Sequence, residues 1–178
     1  MILTGKKIIL RYPRVSDAKW LFKKLIRPEI LLMLEPQTVP RSVRDETKWI
    51  REQPNRRKTK NAISFVVVDK NSGELLGTVG LHAFSMRSKR AEAGAWIAKE
   101  YWGKGYAKEA LTLLINYGFK KLKLNRIEGV CFDFNKRSRR LQESLGFKLE
   151  GVLREHSVYK GKFANDCFYS LLKKEWKG

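Results

Sequence analysis

The sequence predicts a mixed α/β domain laid around one sheet, and three observations point there. Short apolar runs of strand composition recur along the chain, "AISFVVVD" at 62–69 being the plainest. Stretches with apolar residues at helical spacing alternate with them. Two glycines, Gly103 and Gly105, stand one residue apart between a strand and the longest helical stretch. With 178 residues, 43% of them hydrophobic, the chain can bury a core of its own and is read as a single domain over 1–178.

The elements follow in order. The opening "MILTGKKIILRYP" reads as one strand centred on Lys7–Tyr12. Ser16 and Asp17 are placed to cap a helix whose apolar face is Trp20, Leu21 and Leu25. Pro28, Pro36 and Pro40 make 27–41 a broken loop, and Ser42 or Asp45 opens a second helix through Trp49 and Ile50. Ala62–Asp69 is a strand, Asn71-Ser72-Gly73 is turn chemistry, and Leu75–His82 completes a hairpin. A basic turn, Arg87–Arg90, leads into a third central strand, Ala91–Ile97. After the glycines a long helix runs from Tyr106 to Leu122 with its core stripe on Ala107, Ala110, Leu111, Leu114, Ile115, Gly118 and Leu122. Arg126–Phe132 is a strand, Asn135–Leu145 a short helix stopped by Gly146, and Phe147–Val158 and Phe163–Leu172 are the last two strands. The order is β-αα-βββ-α-β-α-ββ, a mixed sheet flanked by four helices.

Composition narrows the function. Thirty-eight Lys and Arg against 18 Asp and Glu give a net charge of +20, which favours anionic partners: nucleic acid, phosphorylated cofactors or acidic proteins. No apolar run is long enough to span a bilayer as a helix. The first residues lack the charged start, apolar middle and small-residue cleavage site of a signal peptide, so a cytoplasmic location is expected. Cys131 and Cys167 have no metal or redox spacing and read as reduced core residues.

The glycines carry the chemistry. Glycine costs backbone entropy and is kept where a chain must turn sharply or be approached closely. A helix N-terminus offers free N–H groups and a positive partial charge, and a loop without side chains lets a phosphate reach them. Gly103-Lys104-Gly105-Tyr106-Ala107 suits a phosphate or pyrophosphate, with Lys104 and Lys108 adding charge. It is not a P-loop, which needs G-x-x-x-x-G-K-[ST]. Nor is it the dinucleotide fingerprint, since Lys108 stands where a third small residue belongs. The competing reading is a tight strand–helix corner that binds nothing.

The pieces "AEAGAWI", "WGKGYAKEAL", "LNRIE", "NKRS" at 135–138, "LGF" and "LEGVLRE", in that order, resemble the GNAT superfamily of acetyl-CoA-dependent N-acetyltransferases. Within it, with "ILRYPRVSDA" at the N-terminus, they resemble the branch that acetylates the N-terminal alanine or serine of ribosomal proteins. The likeness covers nearly the whole chain. It implies a mostly antiparallel sheet, splayed where acetyl-CoA binds. It also implies that Trp102-Gly103-Lys104-Gly105-Tyr106-Ala107, with Lys108, holds the pyrophosphate on backbone amides. Trp96-Ile97-Ala98 would pair with the pantetheine arm and polarise the thioester carbonyl, and Asn135 would contact the cofactor. Acetyl-CoA is then the cosubstrate and no metal is needed.

Departures from the family pattern bear on the catalysts. Trp102 replaces a polar residue, Ala95 stands where an aromatic is usual, and Gln142 occupies the position of a proton-donating tyrosine. Ser138, in N-x-x-S one turn into the helix, is the candidate donor to the leaving sulfur. A glutamate that some relatives carry after the "LEG" strand is Ser157 here, with Glu155 nearby. Glu92 shares a strand face with Gly94 and Trp96 and is the candidate base, acting through water. His82 and His156 read as structural. At pH 7 an α-amine is neutral roughly 300-fold more often than a lysine, so a weak base suffices for an N-terminus. The expected acceptor is a protein or peptide N-terminus, ribosomal proteins included, with the basic surface favouring proximity to ribosome or RNA. The alternatives are a small-molecule amine acetyltransferase and a basic nucleic-acid- or ribosome-binding protein on the same fold.

Overall fold

The computed structural model describes residues 1–31, 34 and 39–178. Two strands, β1 (Ile2–Thr4) and β2 (Ile8–Arg11), form a hairpin where the sequence suggested one strand. The turn is closed by the Gly5 amide donating to the Ile8 carbonyl at 2.9 Å, the Lys7 amide in it donates to Glu109 at 2.9 Å, and a Cβ on Gly5 would collide with that carboxylate. Helix α1 (Ala18–Leu25) follows. Asp17 stands at its N-cap, but its carboxylate does not cap the helix: it takes two 2.8 Å bonds from Arg11 and one from the Arg14 amide. The proline segment contains one helical turn, α2 (Pro28–Leu31), because proline is tolerated in a first turn, where its missing N–H has no partner to lose. The rest of the 27–41 loop lies partly outside the described residues. Ser42, not Asp45, caps α3 (Val43–Lys58), accepting from the Asp45 amide at 3.1 Å.

Strands β3 (Ala62–Asp69), β4 (Leu75–Ser85) and β5 (Arg90–Ile97) form an antiparallel meander. Helix α4 (Tyr106–Lys120) crosses behind it to β6 (Arg126–Phe132), and α5 (Lys136–Ser144) leads to the long hairpin of β7 (Lys148–Tyr159) and β8 (Lys162–Leu172). One eight-stranded sheet results, in the order β1-β2-β3-β4-β5-β6-β8-β7, antiparallel except at β5–β6. Alternation divides its side chains between two layers. Phe65, Val67, Val79, Leu81 and Ile97 pack with Leu111, Leu114 and Ile115 of α4. Val66, Val68 and Trp96 pack with Leu21 and Leu25 of α1 and Ile50 of α3.

The one parallel contact positions the site. β5 and β6 pair only from Arg90↔Arg126 to Glu92↔Glu128, although β5 runs on to Ile97 and β6 to Phe132. Beyond Glu92 the two strands part and leave a gap in the middle of the sheet. The two cysteines, 36 positions apart in sequence, meet across this half: Cys131 and Cys167 are register partners on β6 and β8, both free thiols.

Candidate active site

A cleft of about 1290 Å³ fills the gap and opens to both faces of the sheet. On the α4 side it is lined by Gly103, Gly105, Tyr106, Ala107, Lys108, Asn135, Arg137, Ser138 and Gln142. Gly103 and Gly105 have φ of +76° and +84°, a region that L side chains rarely adopt. A Cβ built on either meets nothing within 4 Å, so the space above them is open. Gly105 is the N-cap of α4 and offers no side chain, which leaves the first-turn amides of Tyr106, Ala107 and Lys108 facing that space. A strand–helix corner that bound nothing would need no such cradle. The donor set fits a pyrophosphate, the anionic part of acetyl-CoA.

Other predicted residues are placed as follows. The Tyr106 hydroxyl donates to Asp69 Oδ2 at 2.8 Å, so its side chain anchors the loop to the β3–β4 turn while its amide faces the cleft; the bond holds the Tyr106 phenol above its ordinary pKa. Lys104 turns outward, its ammonium 5.6 Å from the Tyr101 ring and its carbonyl accepting from Lys7 Nζ at 3.2 Å. Of the Trp96-Ile97-Ala98 triplet, Ala98 donates its amide to Leu76 of β4 at 2.8 Å. Alternation turns the Trp96 amide the same way and leaves the backbone of Ala95 and Ile97 toward the gap. Trp102 Nε1 donates to the Ile97 carbonyl at 2.6 Å, and the Arg137 guanidinium stacks on the Trp102 ring at 3.7 Å, so residues from both sides of the gap meet at its mouth.

Ser138 donates its amide to Asn135 Oδ1 at 3.1 Å, which caps α5. Its Oγ accepts from Gln142 Nε2 at 3.4 Å and lies beside the Cys131 thiol. Burial, partly opposed by that hydroxyl, pushes the Cys131 thiol up to about 11, so it stays protonated at neutral pH and offers no thiolate nucleophile.

On the α3 side the floor is glycine. Gly80 and Gly94 are register partners on β4 and β5, and the next pair on the same face is His82 and Glu92. Glu92 Oε1 lies 3.4 Å from His82 Nε2. Two features of this face escaped sequence reasoning. Glu46 of α3 is only 4% exposed, and burial alone raises its carboxyl to about 7. The legible signal was an acid three, four and seven positions before Trp49, Ile50 and Gln53, on one face of the helix. The second is Asp166 of β8, buried, with one oxygen shared by the Ser157 hydroxyl at 2.5 Å and His156 Nδ1 at 2.8 Å. A bulge in β7 between Leu153 and Ser157 brings these groups together, which no spacing rule foresees.

A family model described as "Acetyltransferase (GNAT) domain" matches residues 7–148. The chain belongs to the GNAT acetyltransferase family. It is 34% identical to an "Uncharacterized N-acetyltransferase p20" of Bacillus licheniformis over 99% of this chain and 98% of that protein. It is 41% identical to a "Putative ribosomal N-acetyltransferase YdaF" of Bacillus subtilis over 60% of this chain and 58% of that one. A crystal structure of a "Probable acetyltransferase" superposes with a TM-score of 0.88 at 30% identity, covering 99% of each chain. The GNAT chain is therefore an acetyl-CoA-dependent N-acetyltransferase, and the reading as a binding protein without activity gives way. Among the described residues no helix is long and apolar enough to cross a membrane, and no group of three or more His, Cys, Asp or Glu could hold a metal.

Proposed function

We propose that the enzyme acetylates the N-terminal α-amine of a protein, ribosomal proteins being the first class to try. The observation that carries this is the two-sided cleft. Its α4 side offers amides and Lys108 to a pyrophosphate, and its α3 side offers a glycine floor with carboxylates to an amine. A floor of paired glycines admits a peptide backbone flat against the sheet. The partly similar YdaF carries a ribosomal name, which supports the substrate class.

Acetyl-CoA, when bound, supplies a thioester. The cradle of Gly103, Gly105, Tyr106, Ala107 and Lys108 would hold its pyrophosphate, and Asn135 orders the start of α5 beside it. The Ile97 and Ala95 amides stand toward the gap, where they can polarise a carbonyl. Glu92 takes a proton from the amine through water. Ser138, whose Oγ is oriented by the Gln142 amide, would give its hydroxyl proton to the leaving thiolate and regain one from water. The α-amine fits this weak base because it is neutral at pH 7 far more often than a lysine.

The test is acetylation of ribosomal proteins stripped of N-terminal modification, mapped by mass spectrometry of N-terminal peptides. Acetyl groups on an N-terminal Ala or Ser support the reading. Acetylation of small amines alone would replace it with the small-molecule alternative.

A further inference from the structure

Among the described residues, four carboxylates line the cleft of a chain whose net charge is +20: Asp45, Glu46, Glu92 and Asp166. Three of them are engaged. Asp45 accepts from the Arg41 amide at 3.0 Å. Glu92 stands beside His82. Asp166 receives Ser157 and His156. Glu46 is the exception: among the described residues no donor bonds its carboxylate and no Lys, Arg or His lies within ion-pair distance of it.

Its place in the fold makes this costly. α3 buries the stripe Glu46, Ile50 and Gln53, with Trp49 half-buried beside it, against the β3–β5 face of the sheet. Glu46 thus occupies an apolar position one turn before Trp49, at the edge of the glycine floor. An ionised carboxylate there is largely shielded from bulk water and has no counter-charge among the described residues. A carboxyl buried on the wall of the cleft, with no counter-charge among the described residues, marks a place where a cation can be received.

We propose that Glu46 receives the ammonium of the acceptor and thereby selects a primary amine bearing an apolar neighbour, a peptide α-amine being the member of that class that fits the cleft. The inference rests on the acetyl-transfer reading of the cleft. The aromatic wall of Trp49 and Trp96 faces the group next to the amine, and the ammonium supplies the charge that the buried carboxylate lacks. Among the described residues the other charged and titratable groups lining this side are Arg41 before α3, Asp45 and Arg56 on it, His82 on β4, Glu92 on β5 and Asp166 on β8; α1 and β3 contribute only Leu25, Ala62 and Ser64. Glu46 binds, and proton removal is left to Glu92.

The test uses a set of N-terminal peptides differing in the first residue, each paired with its analogue carrying a hydroxyl in place of the α-amine. Wild-type enzyme saturated with CoA is titrated with both. It should bind the amine peptide at least tenfold more tightly than the hydroxyl analogue. Glu46→Gln, nearly isosteric, should bring that ratio close to one. KM for the amine peptide should rise about tenfold or more, while the acetyl-CoA Kd and binding stoichiometry stay unchanged. The ratio is internal to each protein, so a partly folded variant does not distort it. An unchanged amine-to-hydroxyl ratio in Glu46→Gln, in an enzyme that acetylates the peptides, overturns the role of Glu46 alone. A wild-type enzyme that binds acetyl-CoA yet transfers to no peptide overturns the peptide class and the proposed function together.

Discussion

Gly105→Val separates what the glycine loop does for the fold from what it does for the cofactor. At φ of +84° a β-branched residue is strained. The cost of forcing an L residue into the left-handed region is about 1–2 kcal/mol. Space adds nothing to that cost, because a Cβ at Gly105 meets no atom within 4 Å. For a chain of this length, each kcal/mol shifts Tm by about 2–4 °C, so a fall of about 2–8 °C is expected. The branched side chain would stand in the open space above the α4 amides, where a pyrophosphate has to come close. A loss of at least about 100-fold in acetyl-CoA affinity, about 2.8 kcal/mol, should follow. Gly161→Val is the matched control: its φ is +75°, its Cβ is equally free, and it lies in the β7–β8 turn away from the cleft. Scanning calorimetry should show similar Tm losses for the two variants, and titration calorimetry should show lost binding only for Gly105→Val. Acetyl-CoA affinity within threefold of wild type in Gly105→Val would refute the cradle.

Three further outcomes follow from the same geometry. Ser138→Ala should lower kcat about tenfold or more with little change in acetyl-CoA Kd, since a proton donor acts mainly in the transition state; the reverse pattern in steady-state kinetics and calorimetry would leave Ser138 a cofactor contact. Glu46 holds its proton up to about pH 7 in the folded chain against an ordinary 4.5, so the native state binds the extra proton and stability falls as pH rises from about 4.5 to about 7. At most about 3 kcal/mol is involved, and denaturant unfolding of Glu46→Gln against wild type should show a gap that widens in favour of the variant over that window; parallel pH profiles would contradict it. Long-range attraction by the +20 surface should make kcat/KM for an acidic protein fall strongly with added salt, and far less for a short neutral peptide; equal responses would reduce the charge to a solubility feature.

Much of this was legible in the sequence, for reasons that differ by element. The central strands and α4 followed from alternation and from the stripe Ala110, Leu111, Leu114 and Ile115, because burial on one face imposes a period. The glycine pair was legible because only glycine holds φ near +80° without strain. The N-terminal hairpin was not, since part of its turn's hydrogen bonding goes to Glu109, a residue far along the chain. The short α2 was hidden by Pro28, which reads as a breaker but sits in a first turn. The cross-strand meeting of Cys131 and Cys167, and the Asp166, Ser157 and His156 cluster, depend on register and on a bulge, neither of which leaves a local pattern. Glu46 was visible as an acid on an apolar stripe, but its meaning needs the cleft it faces.

The most direct measurement offers the enzyme one peptide with both kinds of amine, a free N-terminal Ala or Ser and an internal lysine, together with acetyl-CoA near pH 7. The products are mapped by tandem mass spectrometry. Acetylation at the α-amine, outpacing the lysine by a wide margin and lost in Gly105→Val, is the predicted result. Acetylation of the lysine in preference to the N-terminus, or equal α-amine transfer by Gly105→Val, would contradict the account.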